Sequence, residues 1–399
     1  MISFALLSIL SLASPESAAA VGAEIQISNL SPDAIPPAPS AASNGSVTLV
    51  VWLDATNLQT NGTDVVGARV AADGTILDPT PIVIARDTSG RNQGQPVVAA
   101  AGSTFLVAFT DYPSGPVDLM ARRIRATDGA VLDTVAITLA HGVSNDYEPA
   151  LASDGASWLA AWTDQRGPDT GITGARVGLD GALLDPDGFT ISAAAGDQAQ
   201  PALGSDGRGY LVAFTDYSSG PRVVASRILD GHVVDGSTTV VATRGTAPSV
   251  ASNGASYLVA WSDRRAPQAD IWAARLDANG APAGEPFAVC TMTGDQTHPR
   301  AASAAGEYVV LWFDGVTSGF AERGAPIVGT GAAAIFTLQD PVENGLVAAA
   351  GGNDGILVAY PHDALRARTI HSSTTTPTGA PGWKAVMEKR VLGRTIRIP

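Results

Sequence analysis

The chain has 399 residues, of which 45% are hydrophobic and 16% charged, with 43 Gly and 26 Pro; this excludes disorder along its whole length and suits many short buried strands punctuated by tight turns. A formal net charge of −14 sets it against phosphate backbones and anionic lipid surfaces, so nucleic acid is not an expected partner. The single cysteine, Cys290, rules out an intramolecular disulfide, a cysteine-based zinc site and an iron–sulfur cluster.

In chain order, residues 4–12 are a mostly apolar run, too short to span a bilayer, and Ser17-Ala18-Ala19-Ala20 follows as a small-residue cleavage site. Residues 1–20 therefore read as a signal peptide, which predicts a secreted or periplasmic product without stable membrane insertion. Residues 24–28 then alternate as a strand.

From there one step recurs: an aromatic, any residue, then Asp. The copies are Trp52/Asp54, Phe109/Asp111, Trp162/Asp164, Phe214/Asp216, Trp261/Asp263 and Trp312/Asp314, with Tyr360/His362 as a degraded seventh. The aromatics are 57, 53, 52, 47, 51 and 48 residues apart, at or slightly above the period of propeller blades and far above that of helical solenoids. Within the best-preserved unit, residues 248–290, four apolar runs of four to six residues are separated by Gly, Pro or Asn, which predicts four strands and no helix. In the run 257–261 both faces are apolar, so both must be covered, and stacked blades supply that cover. Asp-Gly or Asn-Gly at Asp73-Gly74, Asp128-Gly129, Asp180-Gly181, Asp230-Gly231 and Asn279-Gly280 provides the positive φ of tight hairpin turns.

The last unit has three candidate strands and lacks its fourth, whereas residues 24–28 match a fourth strand without a first. The expected fold is thus an all-β, seven-bladed β-propeller of four-stranded antiparallel blades, occupying residues 21–371 and closed by the N-terminal strand pairing into the last blade. Residues 372–399, rich in Thr, Pro and Gly and ending in Lys and Arg, read as a flexible linker and a short basic tail.

These residues resemble the repeats of secreted bacterial β-propeller proteins with YLVAW-type strands and Trp-x-Asp-x-Arg steps, as in Trp162-Thr163-Asp164-Gln165-Arg166 and Trp261-Ser262-Asp263-Arg264-Arg265. The resemblance spans residues 24–371 and implies a scaffold, not a reaction, so no catalytic residue is assigned.

Two sets of loops are expected on one face. The first, just before each innermost strand, rims the central channel and gives the candidate ligand residues Asp146, Glu148, Asp197, Gln198, Asp295, Gln296 and His298. The second begins at the repeated Asp and includes Asp111-Tyr112 and Asp216-Tyr217. The ring Asp54, Asp111, Asp164, Asp216, Asp263 and Asp314 offers oxygen ligands suited to calcium or sugar hydroxyls, but its even recurrence fits a structural part in the turns. No metal site is assigned and no cofactor is expected, calcium being the one candidate. An arginine also recurs once per unit (Arg69, Arg123, Arg176, Arg227, Arg275, Arg323, Arg368), with Asp64, Asp118, Asp270 and Asp363 five residues earlier as expected partners.

Seven similar units without a chemically distinctive one favour a monomeric, non-catalytic recognition scaffold for a protein or carbohydrate. The competing readings are a glycoside hydrolase or lyase acting on polysaccharide, using Asp146 or Glu148 with Asp197 or Asp295, and a structural assembly module.

Overall fold

The computed structural model describes residues 20–21, 24–28 and 39–371, apart from short gaps at 57, 59–61, 88–89, 114, 142–144, 266, 317–318, 343–346, 353–354 and 362–364, and residues 390–391 and 394–395. The expected leader up to residue 19, most of the tail, His362 and Asp363 lie outside the described residues.

Within each repeat the short apolar runs form an antiparallel meander. The first blade is Ser40–Ser43, Val47–Asp54, Asp64–Ala71 and Ile82–Ala85; the second is Asn92–Ala101, Thr104–Tyr112, Asp118–Arg125 and Ile137–Ala140. The third comprises Asp146–Ser153, Ser157–Asp164, Gly171–Gly178 and Phe189–Ser192, and the fourth Gln198–Ser205, Tyr210–Asp216, Arg222–Leu229 and Thr239–Ala242. Thr246–Ser252, Ser256–Asp263, Asp270–Asp277 and Phe287–Cys290 make the fifth, and Gln296–Ala304, Glu307–Val316, Gly319–Val328 and Phe336–Val342 the sixth.

The expected blade count of seven is corrected. Counting as a blade a four-stranded unit cut from one continuous stretch of chain, the structure has six, not seven. The remaining sheet is a composite: Ala348–Gly351, Ile356–Pro361 and Leu365–His371 come from the end of the repeat region, and Ile25–Ser28 and Ala20–Val21 both pair with Leu365–His371. The physical reason is that the last repeat runs out after three strands, so its open edge is covered by the strands that precede the first blade. Tyr360 Oη donates to Glu24 Oε2 at 2.6 Å across the junction, and Arg368 Nη2 reaches the same oxygen at 3.2 Å.

Innermost strands of successive sheets lie side by side, and the ring closes from Ala348–Gly351 back to Ser40–Ser43. The second strands are buried on both faces, as their unbroken apolar runs require; Trp52, Trp162, Trp261 and Trp312 are almost wholly enclosed. Each apolar cluster straddles two neighbouring sheets, for example Leu49, Val51 and Phe105, Val107 between blades 1 and 2, and Val50, Trp52 with Leu357, Ala359 between blade 1 and the composite sheet. The core is therefore a series of slabs between sheets. No helix among the described residues is long and apolar enough to cross a membrane.

Candidate functional site: the loop-rich face

At the start of the innermost strand of blades 2 to 6 a proline is preceded by a residue with positive φ: Gln95 (46°), Glu148 (54°), Gln200 (58°), Ala247 (52°) and His298 (53°). The strand pairing slips register at the same point in each blade, so this is a repeated bulge. A residue before proline is kept out of the right-handed helical region, and a left-handed conformation in a residue with a side chain costs about 1–2 kcal/mol, so neighbouring contacts must hold it. They do so from blade to blade. The Glu148 amide donates to Gln95 Oε1 at 2.8 Å, the Gln200 amide to Glu148 Oε2 at 2.9 Å, and the Ala247 amide to Gln200 Oε1 at 2.9 Å. Thr163 and Thr215 hydroxyls donate to the same Glu148 and Gln200 oxygens at 2.9 and 3.0 Å. Ala247 offers no acceptor, so this relay stops before His298. That imidazole is exposed, 3.1 Å from Thr297 Oγ1, and its pKa is lowered by burial of part of the ring and by Arg300.

One turn earlier the pattern repeats with different chemistry. Asp197 Oδ1 accepts the Thr170 amide at 2.9 Å and Asp295 Oδ1 accepts the Ala269 amide at 2.7 Å, while Asn92 and Asn145 accept the equivalent Thr63 and Val117 amides at 3.1 Å. These four residues tie the opening loop of one blade to the second-to-third loop of the blade before. Gln198 and Gln296 are fully buried beneath them: Gln296 Nε2 donates to Asp314 Oδ1 at 2.9 Å, and Gln198 Nε2 donates to the Ala194 carbonyl at 3.1 Å. Of the seven expected rim residues, the structure leaves Asp197, Asp295 and His298 with exposed surface, partly exposes Glu148, and buries Asp146, Gln198 and Gln296.

Asp146 occupies the place that Gln93, Gln198 and Gln296 hold elsewhere. It is 3% exposed and pairs directly across the strands with Asp164, and its Oδ1 accepts the Trp162 indole N–H at 3.0 Å. Where glutamine donates an amide to the repeated Asp in blades 2 and 6, blade 3 sets two carboxyls together. Burial, then the Asp164 charge, pushes the Asp146 pKa up to about 6.

The repeated aspartates are held in the turns. Oδ1 of Asp54, Asp164, Asp216 and Asp263 accepts the amide two residues on at 2.8–2.9 Å, from Thr56, Arg166, Ser218 and Arg265. Arginines close the other oxygen: Arg166 Nε on Asp164 at 2.6 Å, Arg222 Nη2 on Asp216 at 2.7 Å, Arg265 Nη2 on Asp263 at 2.6 Å. Burial opposes ionisation of Asp164 and Asp216, but these donors outweigh it and hold both below the usual range. Among the described residues no group of three His, Cys, Asp or Glu side chains is arranged to hold a metal ion.

The recurring arginines are corrected in two respects. Register shows that only Arg69, Arg123, Arg176, Arg227 and Arg275 are equivalent, each opposite a Leu of the second strand; Arg323 lies opposite Trp312 and Arg368 opposite Val358. Nor is their partner the Asp five residues before. Arg69, Arg123 and Arg176 pair with Asp78, Asp133 and Asp185 at 2.7, 2.6 and 2.9 Å, Arg227 with Asp206 at 2.8 Å, and Arg275 Nε donates to the Gly329 carbonyl at 2.7 Å. Alternate strand residues face opposite sides, so a partner five residues away lies on the wrong face. The missed signal was a Leu-Asp pair nine or ten residues after each arginine in the first three blades. These arginines also reach across to the next blade, where Nη1 of Arg69 and of Arg123 donates to the Ala126 and Leu179 carbonyls at 2.9 Å.

On the loop-rich face, Tyr112 and Tyr217 stand at the same repeat position and are 39% and 40% exposed. Tyr147, half-buried, lies at the start of the innermost strand of the blade between them. Glu148 sits close enough to contribute to raising the pKa of Tyr147 and Tyr217, after burial in each case. Three tyrosines thus surround the best-knit part of the rim, across blades 2 to 4.

No protein-family model matches the chain, and no curated protein does. Solved structures do. A puromycin-hydrolysing peptidase of Mycobacterium tuberculosis is 16% identical, with a TM-score of 0.50, over 83% of this chain and 52% of that one. An α-L-arabinanase of Penicillium chrysogenum is 12% identical (TM-score 0.48; 73% of this chain, 93% of that one), and a Trypanosoma rangeli sialidase mutant 10% identical (TM-score 0.46; 76% and 59%). The chain spans about half the length of the peptidase. The likeness to the peptidase bears on the fold alone, which is a β-propeller.

Proposed function

We propose that this protein is an exported recognition scaffold that binds carbohydrate across the loop-rich face of blades 2 to 4. The observation that carries the reading is the pair of exposed tyrosines at equivalent positions, with Tyr147 between them. An aromatic ring with a free face and a hydroxyl at its edge offers a flat apolar surface and a hydrogen-bond group together, which suits the C–H face and hydroxyls of a sugar ring. The rim carboxylates named for catalysis in the competing reading serve elsewhere: Glu148, Asp197 and Asp295 each accept backbone amides that join blades.

The test is retention of the purified protein on a panel of immobilised polysaccharides and on a protein-partner array, with and without calcium. Wild type is expected to be retained by at least one glycan, and Tyr112→Ala and Tyr217→Ala each to weaken retention about tenfold, the scale of one lost aromatic contact at about 1.4 kcal/mol. Retention by a protein but no glycan, or glycan binding indifferent to both variants, overturns the proposal.

One observation favours glycoside hydrolysis as a second reading. A carboxyl at about 6, set against a second carboxyl held ionised, is the asymmetry a general acid needs, and Asp146 with Asp164 provides it. Release of reducing ends from a bound glycan, abolished in Asp146→Asn, would establish that reading; binding without release leaves the scaffold reading standing.

A further inference from the structure

Blade 3 differs from its neighbours in a second way. On the face that carries Asp164, its third strand begins with Gly171 opposite Asp164 and has Thr173 opposite Trp162. The residues in register with Gly171 are Asp64, Asp118, Arg222, Asp270 and Ala321, and those in register with Thr173 are Val66, Met120, Val224, Trp272 and Arg323. Just before the fourth strand stands Gly188, where the other blades carry Pro81, Ala136, Thr238, Pro286 and Ile335. Gly171 and Gly188 carry no side chain here, while Thr173 matches Val66 and Val224 in size and is smaller than Met120, Trp272 and Arg323. A Cβ on Gly188 would come 3.0 Å from the Thr173 methyl and one on Gly171 2.8 Å from the Ser192 carbonyl oxygen, so both glycines let backbone approach closely, and with Thr173 they line one space beside Asp164.

That space is a recess of about 510 Å³, within the roughly 300–1,000 Å³ of pockets that take small molecules. In blade 5 the equivalent space is filled, because Arg265 lies 3.6 Å over the Trp272 ring. In blade 3 the floor is a fixed network: Asp164 Oδ2 accepts Thr173 Oγ1 at 2.7 Å and Arg166 Nε at 2.6 Å, and Arg166 Nη2 donates to Thr173 Oγ1 at 3.1 Å. The walls add Asp169, Asp187 and Thr190. Donors and acceptors thus alternate over a short distance, with three carboxylates against one guanidinium.

We propose that this recess binds a neutral, hydroxyl-rich ligand of one or two sugar rings. Hydroxyls both donate and accept, so they satisfy a guanidinium and carboxylates at once; the net negative lining repels uronates and other anionic sugars. The site is distinct from the tyrosine platform and rests on the carbohydrate reading only for the choice of probes.

The test titrates the full chain with glucose, galactose, arabinose, N-acetylglucosamine, their disaccharides and glucuronate, read by saturation-transfer NMR and calorimetry. At least one neutral sugar is expected to bind, with glucuronate at least tenfold weaker. Thr173→Met, which introduces the side chain blade 2 carries there, is expected to weaken binding at least tenfold. Asp187→Lys, on an exposed residue, should do the same. Absence of binding by every neutral sugar overturns the inference, as does binding unaffected by Thr173→Met and Asp187→Lys. Loss in Tyr217→Ala alone would move the sugar to the tyrosines, sinking this inference while sparing the proposed function.

Discussion

Asp146 is the residue at which blade 3 departs furthest from its neighbours, and its chemistry fixes a pH dependence. Its folded pKa, about 6, stands above the unfolded value near 3.9. The folded state therefore holds the proton longer: stability is fully present below about pH 4, falls as pH rises towards 6, and stays level above. Two pKa units correspond to at most roughly 3 kcal/mol. Asp146→Asn keeps an oxygen for the Trp162 indole and restores the amide that glutamine supplies elsewhere, so it is expected to raise the melting temperature at pH 7.5 and have little effect at pH 4. Thermal scans at the two pH values check this, and an equal shift at both would contradict it. The aromatic-x-Asp step was legible in the sequence because it recurs, and its residues prove to be turn acceptors. The burial of Asp146, Gln198 and Gln296 was not legible: a polar residue before a proline reads as loop, and only the bulge at Glu148 and its counterparts turns the preceding side chain inward.

At the scale of elements, the hairpin turns have two duties. Gly129, Gly181 and Gly231 adopt positive φ, and the arginine of the preceding blade also lies against each; a Cβ on Gly181 would meet the Arg123 guanidinium at 2.7 Å. Gly254 has nearly the same φ, +85° against +89°, and open space around it. Gly254→Ala is thus expected to lose only the roughly 1–2 kcal/mol of backbone strain, and Gly181→Ala about 1–2 kcal/mol more as Arg123 leaves Asp133 and the Leu179 carbonyl. Urea titrations compare the two, and equal losses would refute the contact between blades. Strand number and turn positions were readable from periodicity and Asp-Gly pairs. Arginine partners were not, because a fixed offset in sequence crosses to the other face of a strand, whereas the Leu-Asp pairs lie beyond an intervening turn.

For the whole molecule, the repeat period foretold a propeller and the unpaired strand 24–28 foretold how its ring closes. The number of units made from continuous chain was overcounted, since the degraded copy at Tyr360 supplies three strands and must share its sheet with Ile25–Ser28. Deleting residues 24–28 would bare the edge of Leu365–His371, so the variant is expected to self-associate in light scattering, while deletion of 372–399 leaves the protein monodisperse; the reverse result would overturn this account of closure. Tyr112 and Tyr217 stood out in the sequence because they follow the repeated Asp, but the recess in blade 3 did not, because averaging over copies hides what one copy lacks.

Closure by the composite sheet also sets an order in time. The bond from Tyr360 to Glu24 joins residues 336 apart in sequence. At roughly 5–20 residues per second, ribosomal synthesis separates them by about 17 to 67 seconds, many times the microseconds a hairpin needs. Ile25–Ser28 is made early and finds its place last, and throughout that interval blade 1 waits with the flank that will meet Leu357 and Ala359 bare.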